Sequence, residues 1–371
     1  MNKVPVEVCC EILDSQRIPI TASARSKGQY PYYGANGIQD YVDDYIFDDE
    51  LVLLAEDGGN FGSKDRPIAY RVSGKCWVNN HAHVLKPKHG LDVDYLCYAL
   101  MLYDVTGLVN GATRMKLTQA AMRQMLIPLP EFSEQLRIVN FLSTVQDIMR
   151  KRQQQLSALD DLIKARFVEM FGDMESNPNG WRESTLGAEC YYIKDGPHQS
   201  PPYIDDPSGI PFISTRNIVN GDGIDWSTAK FISETDYMQC IKKCKPEKGN
   251  ILYSKGGTTG IAKYVDTDRR FANWGHVAVL KFGDQLNGRF LERMLNMDYC
   301  YRQSQQLTKG IANRDFVLSA IAQVKIFVPP VELQRKYVEF VAQVDKSKSV
   351  IQKSLDETQL LFDSLMQEYF G

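Results

Sequence analysis

Residues Pro130 to Gly172 read PEFSEQLRIVNFLSTVQDIMRKRQQQLSALDDLIKARFVEMFG, and this stretch organises the chain because it occurs twice. The second copy, from Pro329 to Gly371, reads PPVELQRKYVEFVAQVDKSKSVIQKSLDETQLLFDSLMQEYFG, and a constant offset of 199 residues aligns the two without an insertion. Proline is tolerated at a helix start, and glycine suits the residue after the last turn. Each copy is therefore predicted to form one continuous helix of about 40 residues, roughly 60 Å long.

The apolar spacing of both copies is that of a coiled coil. Alternating steps of four and three from Ile138 meet eight apolar residues in ten, and the same steps from Tyr337 meet eight in ten. So narrow a seam predicts that each helix pairs with one partner, and the nearest available partner is the other copy. The alternative is a long amphipathic helix on a domain surface, which the duplication disfavours.

Length and repeat together predict the domain organisation. A chain of 371 residues suits two domains, which the repeat places at residues 1–129 and 173–328, with the helices at 130–172 and 329–371. The hydrophobic content of 43% is ordinary, and no apolar run is long enough for a membrane span. We therefore expect no membrane association and a cytoplasmic location. The net charge of −3 requires any nucleic-acid interface to be a local basic face.

Short strands and helices alternate in the first domain, which predicts an α/β (α+β) fold. The expected strands are Tyr45–Leu54, Ala69–Val72, Cys76–Val78, His83–Leu85 and Met125–Leu129, and the expected helix is Tyr95–Tyr103. The second domain repeats this order loosely, so the fold class is two such domains in tandem, with a pseudo-twofold internal repeat. The eight cysteines lack CxxC spacing and are expected to be reduced thiols, with no metal site.

Polar, basic and aromatic residues cluster in loops at matching positions of the two domains. Arginine can pair with guanine and asparagine with adenine in the major groove, so these loops are candidates for DNA contact. For any one residue, an ordinary surface-loop role is the alternative. The candidates are Tyr33, Asn36, Asn80, His81, Arg114 and Lys116 in the first domain, and Thr215, Arg216, Asn217, Lys255, Thr258, Trp274, Asn313 and Arg314 in the second.

Several motifs give the chain a family resemblance. They are YPYYGANG from Tyr30, LLAEDG from Leu53, WVNNHAHVL from Trp77, Pro211-Phe212-Ile213 with Asn217-Ile218, and GNIL from Gly249. With the helical repeat, they make the chain similar, over essentially its whole length, to the specificity subunit of Type I restriction–modification enzymes. The chain departs from the family in one respect: it starts almost directly in the first domain, so any leading segment that family members carry is expected to be short here.

The resemblance implies a DNA-recognition subunit without catalytic activity or cofactor. Each domain would be a target-recognition domain that reads one half of a split, asymmetric site in double-stranded DNA. The two helices would pack antiparallel, set the distance between the halves and dock the partners. Those partners would be two modification (methyltransferase) subunits and, through the complex, restriction (translocase/endonuclease) subunits.

Other functions rest on weaker patterns. Residues Ser200 to Tyr203 match the tetrapeptide of DNA adenine amino-methyltransferases, but no strand is followed by the glycine-rich turn that would hold S-adenosylmethionine. His81 and His83 lack neighbouring carboxylates at metal-site spacing, and the glycines at 256–260 lack a Walker lysine. A coiled-coil scaffold that never binds DNA is the remaining alternative.

Overall fold

The computed structural model describes residues 2–63, 66–111, 114–221, 223–310 and 314–371. The chain forms two compact units. Unit 1 comprises Met1–Gln154 with Ile351–Gly371, and unit 2 comprises Gln155–Val350. Each unit therefore contains part of each repeated stretch, whereas the sequence predicted separate domains and helices.

Unit 1 consists of short strands and helices followed by the first part of a long helix. In order these are β1 Lys3–Pro5, α1 Val6–Cys9, β2 Cys10–Ile12, β3 Lys27–Gly34, β4 Gly37–Val42, β5 Phe47–Ala55, β6 Ala69–Val78, β7 Ala82–Pro87, α2 Val93–Met101, β8 Val109–Asn110, β9 Lys116–Leu117, α3 Gln119–Arg123, β10 Leu126–Pro128 and the long helix α4 Phe132–Phe171. The main sheet has the order β2-β7-β5-β6-β3-β4, and all of its pairings are antiparallel except β3 with β6. It is an α+β arrangement, as predicted.

The main sheet of unit 1 is buried where its sequence is continuously apolar. Residues Leu51–Ala55 of β5 are inaccessible to solvent, and α2 packs on the sheet. Helix α2 begins at the cap Asp92, whose carboxylate accepts from the backbone N–H groups of Asp94 and Tyr95. The same core includes Ile138 of α4 and residues near the carboxyl end of the chain, so both long helices contribute to unit 1.

Strand β6 differs from its prediction. Two short strands were expected, Ala69–Val72 and Cys76–Val78, but one strand runs from Ala69 to Val78. Gly74 has a φ of +74° and still lies opposite Asp49 in an unbroken antiparallel register with β5. Glycine reaches this backbone conformation without a side-chain clash, so it is accommodated within the ladder.

Unit 2 repeats the same kinds of element. They are β11 Arg182–Thr185, α5 Leu186–Glu189, β12 Cys190–Asp195, β13 Ile210–Ile213, β14 Lys230–Ile232, α6 Glu234–Lys243, β15 Ile251–Ser254, β16 Ala262–Tyr264, β17 Ala272–Asn273, β18 Val277–Phe282, α7 Gly288–Leu295, α8 Asp298–Leu307, α9 Leu318–Ile321, β19 Lys325–Val328 and the first part of the long helix α10 Val331–Phe370. One sheet has the order β12-β18-β15-β16, and another has the order β14-β13-β17.

The two units share a pairing pattern. Strand β1 pairs with β10 as β11 pairs with β19, and the ladder β2-β7-β5 corresponds to β12-β18-β15. Short helices join the equivalent strands, since α1 lies between β1 and β2 and α5 between β11 and β12. The loose repetition predicted for the two domains is therefore present in their backbone pairing.

Each long helix is 40 residues, which confirms the predicted length and continuity. A buried glutamine fixes the start of each one. Gln135 Oε1 accepts from the backbone N–H of Asp92 at 2.9 Å, and Gln334 Oε1 accepts from that of Asn287 at 2.8 Å. Asp92 and Asn287 cap α2 and α7, so equivalent side chains connect equivalent helices in the two units.

Two further sequence expectations concern the whole chain. All eight cysteines are buried and none is paired in a disulfide, as expected for reduced structural thiols. Across the residues that the structure describes, no helix combines the length and apolar character that crossing a bilayer requires.

Candidate nucleic-acid interface

A three-way backbone junction lies just after strand β5 in unit 1. The N–H of Glu56 donates to the carbonyl of His81 at 2.9 Å, and the N–H of Leu117 donates to the carbonyl of Glu56 at 2.7 Å. The turn Glu56–Gly58 is thereby connected to the segment before β7 and to the short strand β9. Gly58 has a φ of +63°, a conformation that favours glycine.

Side chains from three distant segments converge on this turn. Asn36 Nδ2 donates to the carbonyl of Gly58 at 2.9 Å. Asp57 Oδ1 lies 2.6 Å from His81 Nδ1 and 2.7 Å from Arg114 Nη2. Asn36, His81 and Arg114 were separate candidates in the sequence, and the structure places them around one turn.

A charged network lies beneath the turn. Glu56 pairs with Lys116 at 2.9 Å and with Arg17 at 2.6 Å, while Asp14 Oδ2 lies 2.6 Å from Nδ1 of the buried His83. Burial raises the pKa of Glu56 and of Asp14, but the hydrogen bonds and charges of these partners outweigh it and hold each pKa below its usual value. Both carboxyls are therefore ionised at neutral pH.

This network also contains a possible set of metal ligands. Donor atoms of Asp14, Glu56 and His83 lie within 4.8 Å of one another. Arg17 and Lys116 already neutralise the carboxylates, and a metal ion would have to displace them. The arrangement therefore fits an ion-pair network better than a metal site.

The other two candidates of unit 1 lie beside the junction. The ring of Tyr33 is 5.7 Å from that of Tyr70, and burial raises the pKa of Tyr33. The carbonyl of Tyr33 accepts from the N–H of Asn79 at 3.0 Å, and the next residue, Asn80, is exposed. Both belong to the segments that form the junction.

Unit 2 builds the same junction after strand β15. The N–H of Lys255 donates to the carbonyl of His276 at 2.9 Å, and the N–H of Phe316 donates to the carbonyl of Lys255 at 2.7 Å. The hydroxyl of Thr215 donates to the carbonyl of Gly256 at 3.0 Å. Thr215, a sequence candidate, therefore meets this turn as Asn36 meets the turn of unit 1.

Lys255 does not face solvent, which corrects its assignment as a DNA contact. Its side chain is 4% exposed and its ammonium lies 3.4 Å from Asp195 and 3.2 Å from Asp315. Asp195 also pairs with Lys243 at 2.8 Å and His198 at 3.1 Å. Burial raises the pKa of Asp195, but the Lys243 hydrogen bond and the surrounding cations outweigh it and lower the pKa.

Asn217 is a second correction. It is 2% exposed, and its Oδ1 accepts from both the N–H and the hydroxyl of Ser214 at 2.9 Å. Its Nδ2 donates to the carbonyl of Asp225 at 3.0 Å and to Thr228 Oγ1 at 3.2 Å. The amide holds a loop together, so no part of it is available to a base.

The remaining candidates of unit 2 are more accessible. Arg216 and Thr258 are exposed, and Arg314, also exposed, donates to Gln305. The ring of Trp274 is half-buried and lies 4.0 Å from that of His276. Asn313 lies outside the described residues. The structure therefore groups Thr215 and Trp274 at the junction, while Arg216 and Thr258 are exposed.

The sequence candidates did not include the carboxylates that organise these junctions. Glu56 and Asp57 follow the buried end of strand β5, and Asp195 ends strand β12, but acidic residues at strand ends are common in any soluble protein. A better signal was the repeat, since positions 56 and 255 and positions 116 and 315 share the offset of 199 and carry opposite charges. Charge-reversed pairs at one offset indicate contact between those positions.

Comparisons with known proteins give a consistent result. The model of the Type I restriction modification DNA specificity domain matches residues 5–158 and 178–358. A Haemophilus influenzae protein assigned as a type I restriction enzyme specificity subunit is 26% identical over 377 residues, covering 95% of this chain and 89% of that protein. The MjaIX specificity subunit of a type I restriction enzyme of Methanocaldococcus jannaschii is 23% identical, covering 81% and 74%.

Solved structures share the fold. The S subunit of a Type I restriction–modification system from M. genitalium superposes with a TM-score of 0.60 at 16% identity, covering 100% of this chain and 96% of that one. A structure from a study of type I R-M assembly and conformational transition gives 0.58 at 18% identity, covering 100% and 97%. At these identities the similarity concerns the fold.

Proposed function

Since the chain belongs to the family defined by the Type I restriction modification DNA specificity domain, we propose that it recognises double-stranded DNA. Each of its two recognition regions reads one half of a split, asymmetric site. In such enzymes the catalytic activities belong to other subunits, and this chain supplies sequence recognition. The proposal places it in the cytoplasm, where it has access to the DNA.

The observation that carries this proposal is the convergence of DNA-binding residue types at one turn in each unit. Arg114 and Lys116 supply positive charge in unit 1, with side chains 59% and 50% exposed. Asn36 and His81 supply hydrogen-bonding groups at the same turn. Basic groups contact phosphates, and arginine, asparagine and histidine side chains hydrogen-bond base edges, so the cluster has the composition of a groove-reading surface.

Unit 2 supports a second, independent reading surface. Its candidates are Thr215, Arg216, Thr258, Trp274 and Arg314, and Asn313 remains a candidate from the sequence. Lys255 and Asn217 are excluded from it because their side chains are buried. The two surfaces differ in composition, as expected if they recognise different half-sites.

We further propose that the two long helices form an antiparallel coiled coil that acts as a spacer. Within unit 1, Arg152 donates to the carbonyl of Ser354 at 2.5 Å. Within unit 2, Lys348 pairs with Asp160 at 2.8 Å, and the hydroxyl of Tyr337 contacts the carbonyl of Ile163 at 3.4 Å. Residue numbers fall in one helix as they rise in the other, which supports antiparallel packing.

The proposed domain boundaries follow the repeat. The recognition domains are 1–129 and 173–328, and the spacer helices are 130–172 and 329–371, related by a pseudo-twofold repeat. Two modification (methyltransferase) subunits dock on the helices, and restriction (translocase/endonuclease) subunits join through the complex. The tetrapeptide from Ser200 serves no catalytic role in this proposal. Its Tyr203 packs 6.2 Å from the ring of Phe212, next to strand β13.

Methylation mapping tests the recognition role. The full chain is assembled with its modification subunits, and the methylated positions are mapped across a genome. We expect a site with two specified parts separated by an unspecified spacer. Methylation without sequence preference, or within one continuous motif, would contradict the proposal.

Lengthening both helices tests the spacer role. One heptad inserted near Gln153 and another near Gln352 keeps the seam facing its partner. Each adds about 10 Å, equivalent to about three base pairs at about 3.4 Å each. We expect an active variant to methylate sites with a longer spacer, whereas an unchanged spacer would assign the distance to the modification subunits.

A further inference from the structure

Asp57 was not a sequence candidate, yet it contacts two residues that were. We propose that Asp57 is a positioning residue, which holds Arg114 and His81 as an adjacent donor and acceptor that read the major-groove edge of a G·C base pair. This inference rests on the proposed function and names the base pair that unit 1 reads at this turn.

The geometry makes Asp57 the centre of the group. One oxygen, Oδ1, lies 2.6 Å from His81 Nδ1 and 2.7 Å from Arg114 Nη2. The side chain of Asp57 is 17% exposed, whereas that of Arg114 is 59% exposed and that of His81 is 34% exposed. The carboxylate is thus set back, and the two groups that it holds are the more accessible ones.

This contact determines how His81 can bond. An ionised carboxylate only accepts hydrogen bonds, so Nδ1 of His81 must carry a proton to bond with Asp57. In the neutral ring the proton on Nδ1 leaves Nε2 as an acceptor. Without Asp57, either nitrogen could carry the proton and the ring could present either a donor or an acceptor.

The resulting pattern matches one kind of base pair. Arg114 keeps four N–H groups beyond the one directed at Asp57, and paired N–H groups suit the N7 and O6 acceptors of guanine. Nε2 of His81 suits the N4 amino group of the paired cytosine. An A·T pair places its amino donor between two acceptors, where the arginine fork would meet a donor.

The turn itself is shaped for this contact. A Cβ at Gly58 would lie 3.3 Å from Arg114 Nη2, so the glycine leaves room for the guanidinium. The equivalent of Asp57 in unit 2 is Gly256, where a Cβ would lie 2.5 Å from the ring of His276. A side chain is therefore excluded at position 256, so unit 2 has no counterpart of Asp57. Recognition of the second half-site can then serve as an internal control.

Electrostatics alone predicts the opposite effect of removing Asp57. A carboxylate near DNA repels phosphates, so its neutralisation would strengthen binding to all sequences. A positioning role predicts weaker discrimination at one base pair. The substitution Asp57→Asn separates the two by the sign and the sequence dependence of the change.

The first experiment is methylation by the complex of the full chain with its modification subunits. Asp57→Asn is expected to lose discrimination about tenfold or more at one G·C position of one half-site and to leave the other half-site unchanged. Asp48→Asn, near the start of strand β5, removes an equal charge and is expected to change recognition of neither half-site. Tighter binding with an unchanged site, or equal loss in both halves, would overturn the proposal.

A second experiment needs no DNA, so it separates failure of this inference from failure of the proposed function. Nitrogen NMR of the chain labelled with ¹⁵N-histidine reports which ring nitrogen of His81 is protonated. We expect the proton on Nδ1 in the parent chain and a mixture of tautomers in Asp57→Asn. A proton on Nε2 in the parent chain would overturn the proposal even if both half-sites are read.

Two substitutions at the more accessible members of the group keep the proposal testable if Asp57→Asn does not fold. Arg114→Met and His81→Leu each remove one member of the pair and leave the buried network beneath the turn intact. Both are expected to relax specificity at the same base pair. If the two substitutions relaxed specificity at different base pairs, or at none, the assignment of both residues to one base pair would be overturned.

Discussion

The turn after β5 in unit 1 and the turn after β15 in unit 2 share a backbone and differ in charge. In both turns the N–H of the first turn residue donates a backbone hydrogen bond at 2.9 Å, and its carbonyl accepts one at 2.7 Å. In unit 1 the turn residue is Glu56, paired with Lys116 at 2.9 Å, while in unit 2 it is Lys255, paired with Asp315 at 3.2 Å. The two charges at each junction are opposite, and their order is reversed between the units.

The reversal of charge also applies to a second ion-pair partner in each unit. Glu56 also pairs with Arg17, and Lys255 also pairs with Asp195, so the second partner has changed sign as well. The positive and negative side chains of each network offset one another. Either position can therefore carry the positive or the negative charge while the backbone junction stays the same. A constant backbone junction can therefore carry different side chains, which is what two recognition surfaces with different half-sites need.

Reversing the charge of Lys255, and so breaking its ion pairs in unit 2, is expected to have the largest effect on stability. Lys255→Glu places a buried carboxylate beside Asp195 and Asp315, with its ion pairs lost. We expect the free energy of unfolding to fall by about 3–5 kcal/mol, as when a buried ion pair loses one partner. Denaturant unfolding of the full chain measures this value.

The matched control is Lys230→Glu, which makes the same change at an exposed position of the same unit. We expect its free energy of unfolding to change by no more than about 0.5 kcal/mol. Equal effects of the two substitutions would mean that the charge match at the junction does not matter.

An intermediate effect separates the two reading surfaces. Arg114→Ala in unit 1 and Arg216→Ala in unit 2 each remove an exposed arginine. We expect each to weaken recognition of a different half-site, by about 1–3 kcal/mol per lost base contact. Methylation rates on substrates altered in one half at a time measure the change. If either substitution affected both halves equally, the units would not read DNA independently.

The smallest expected effect is a pH dependence in unit 2. Burial, followed by the charges of Lys255 and His198, lowers the pKa of His276 below its usual 6.5, while Asp315 opposes this shift. The unfolded chain therefore binds a proton at His276 more readily than the folded chain between the folded pKa and about 6.5. Stability contributed by the neutral ring is present above about pH 6.5 and decreases as pH falls through this window.

His276→Gln removes the titrating group and should flatten the dependence. The measurement is the free energy of unfolding of both chains between about pH 7.5 and about pH 5.5. Parallel pH curves for the parent chain and His276→Gln would show that the ring does not contribute.

The long helices could be predicted from the sequence because their information is local and periodic. A periodic apolar seam and a fixed offset specify both length and continuity, and both are as predicted. Strand β6 was divided wrongly, since its pairing with strand β5 continues without a break through Gly74. Pairing with a neighbour decided this element, and one sequence does not reveal that neighbour.

The sequence identified several residues that meet at the two turns, but it did not reveal which way their side chains point. His81 and Arg114 were identified, and both reach the turn after β5. Asn217 and Lys255 were identified by the same reasoning, yet both are buried. The amide of Asn217 is held by hydrogen bonds within its own loop, and the ammonium of Lys255 lies between Asp195 and Asp315. Residue type and loop position do not specify which side of a turn faces solvent, since that depends on segments far away in the sequence.

The division of the long helices between the units has a consequence for synthesis of the chain. The core that begins with Val6 in unit 1 is completed by Phe362, Leu365 and Met366, which the ribosome makes after all of unit 2. Part of the apolar surface of unit 1, which is synthesised first, therefore stays uncovered until the second unit has emerged from the ribosome. Unit 2, whose residues are contiguous from Gln155 to Val350, can acquire its full core first.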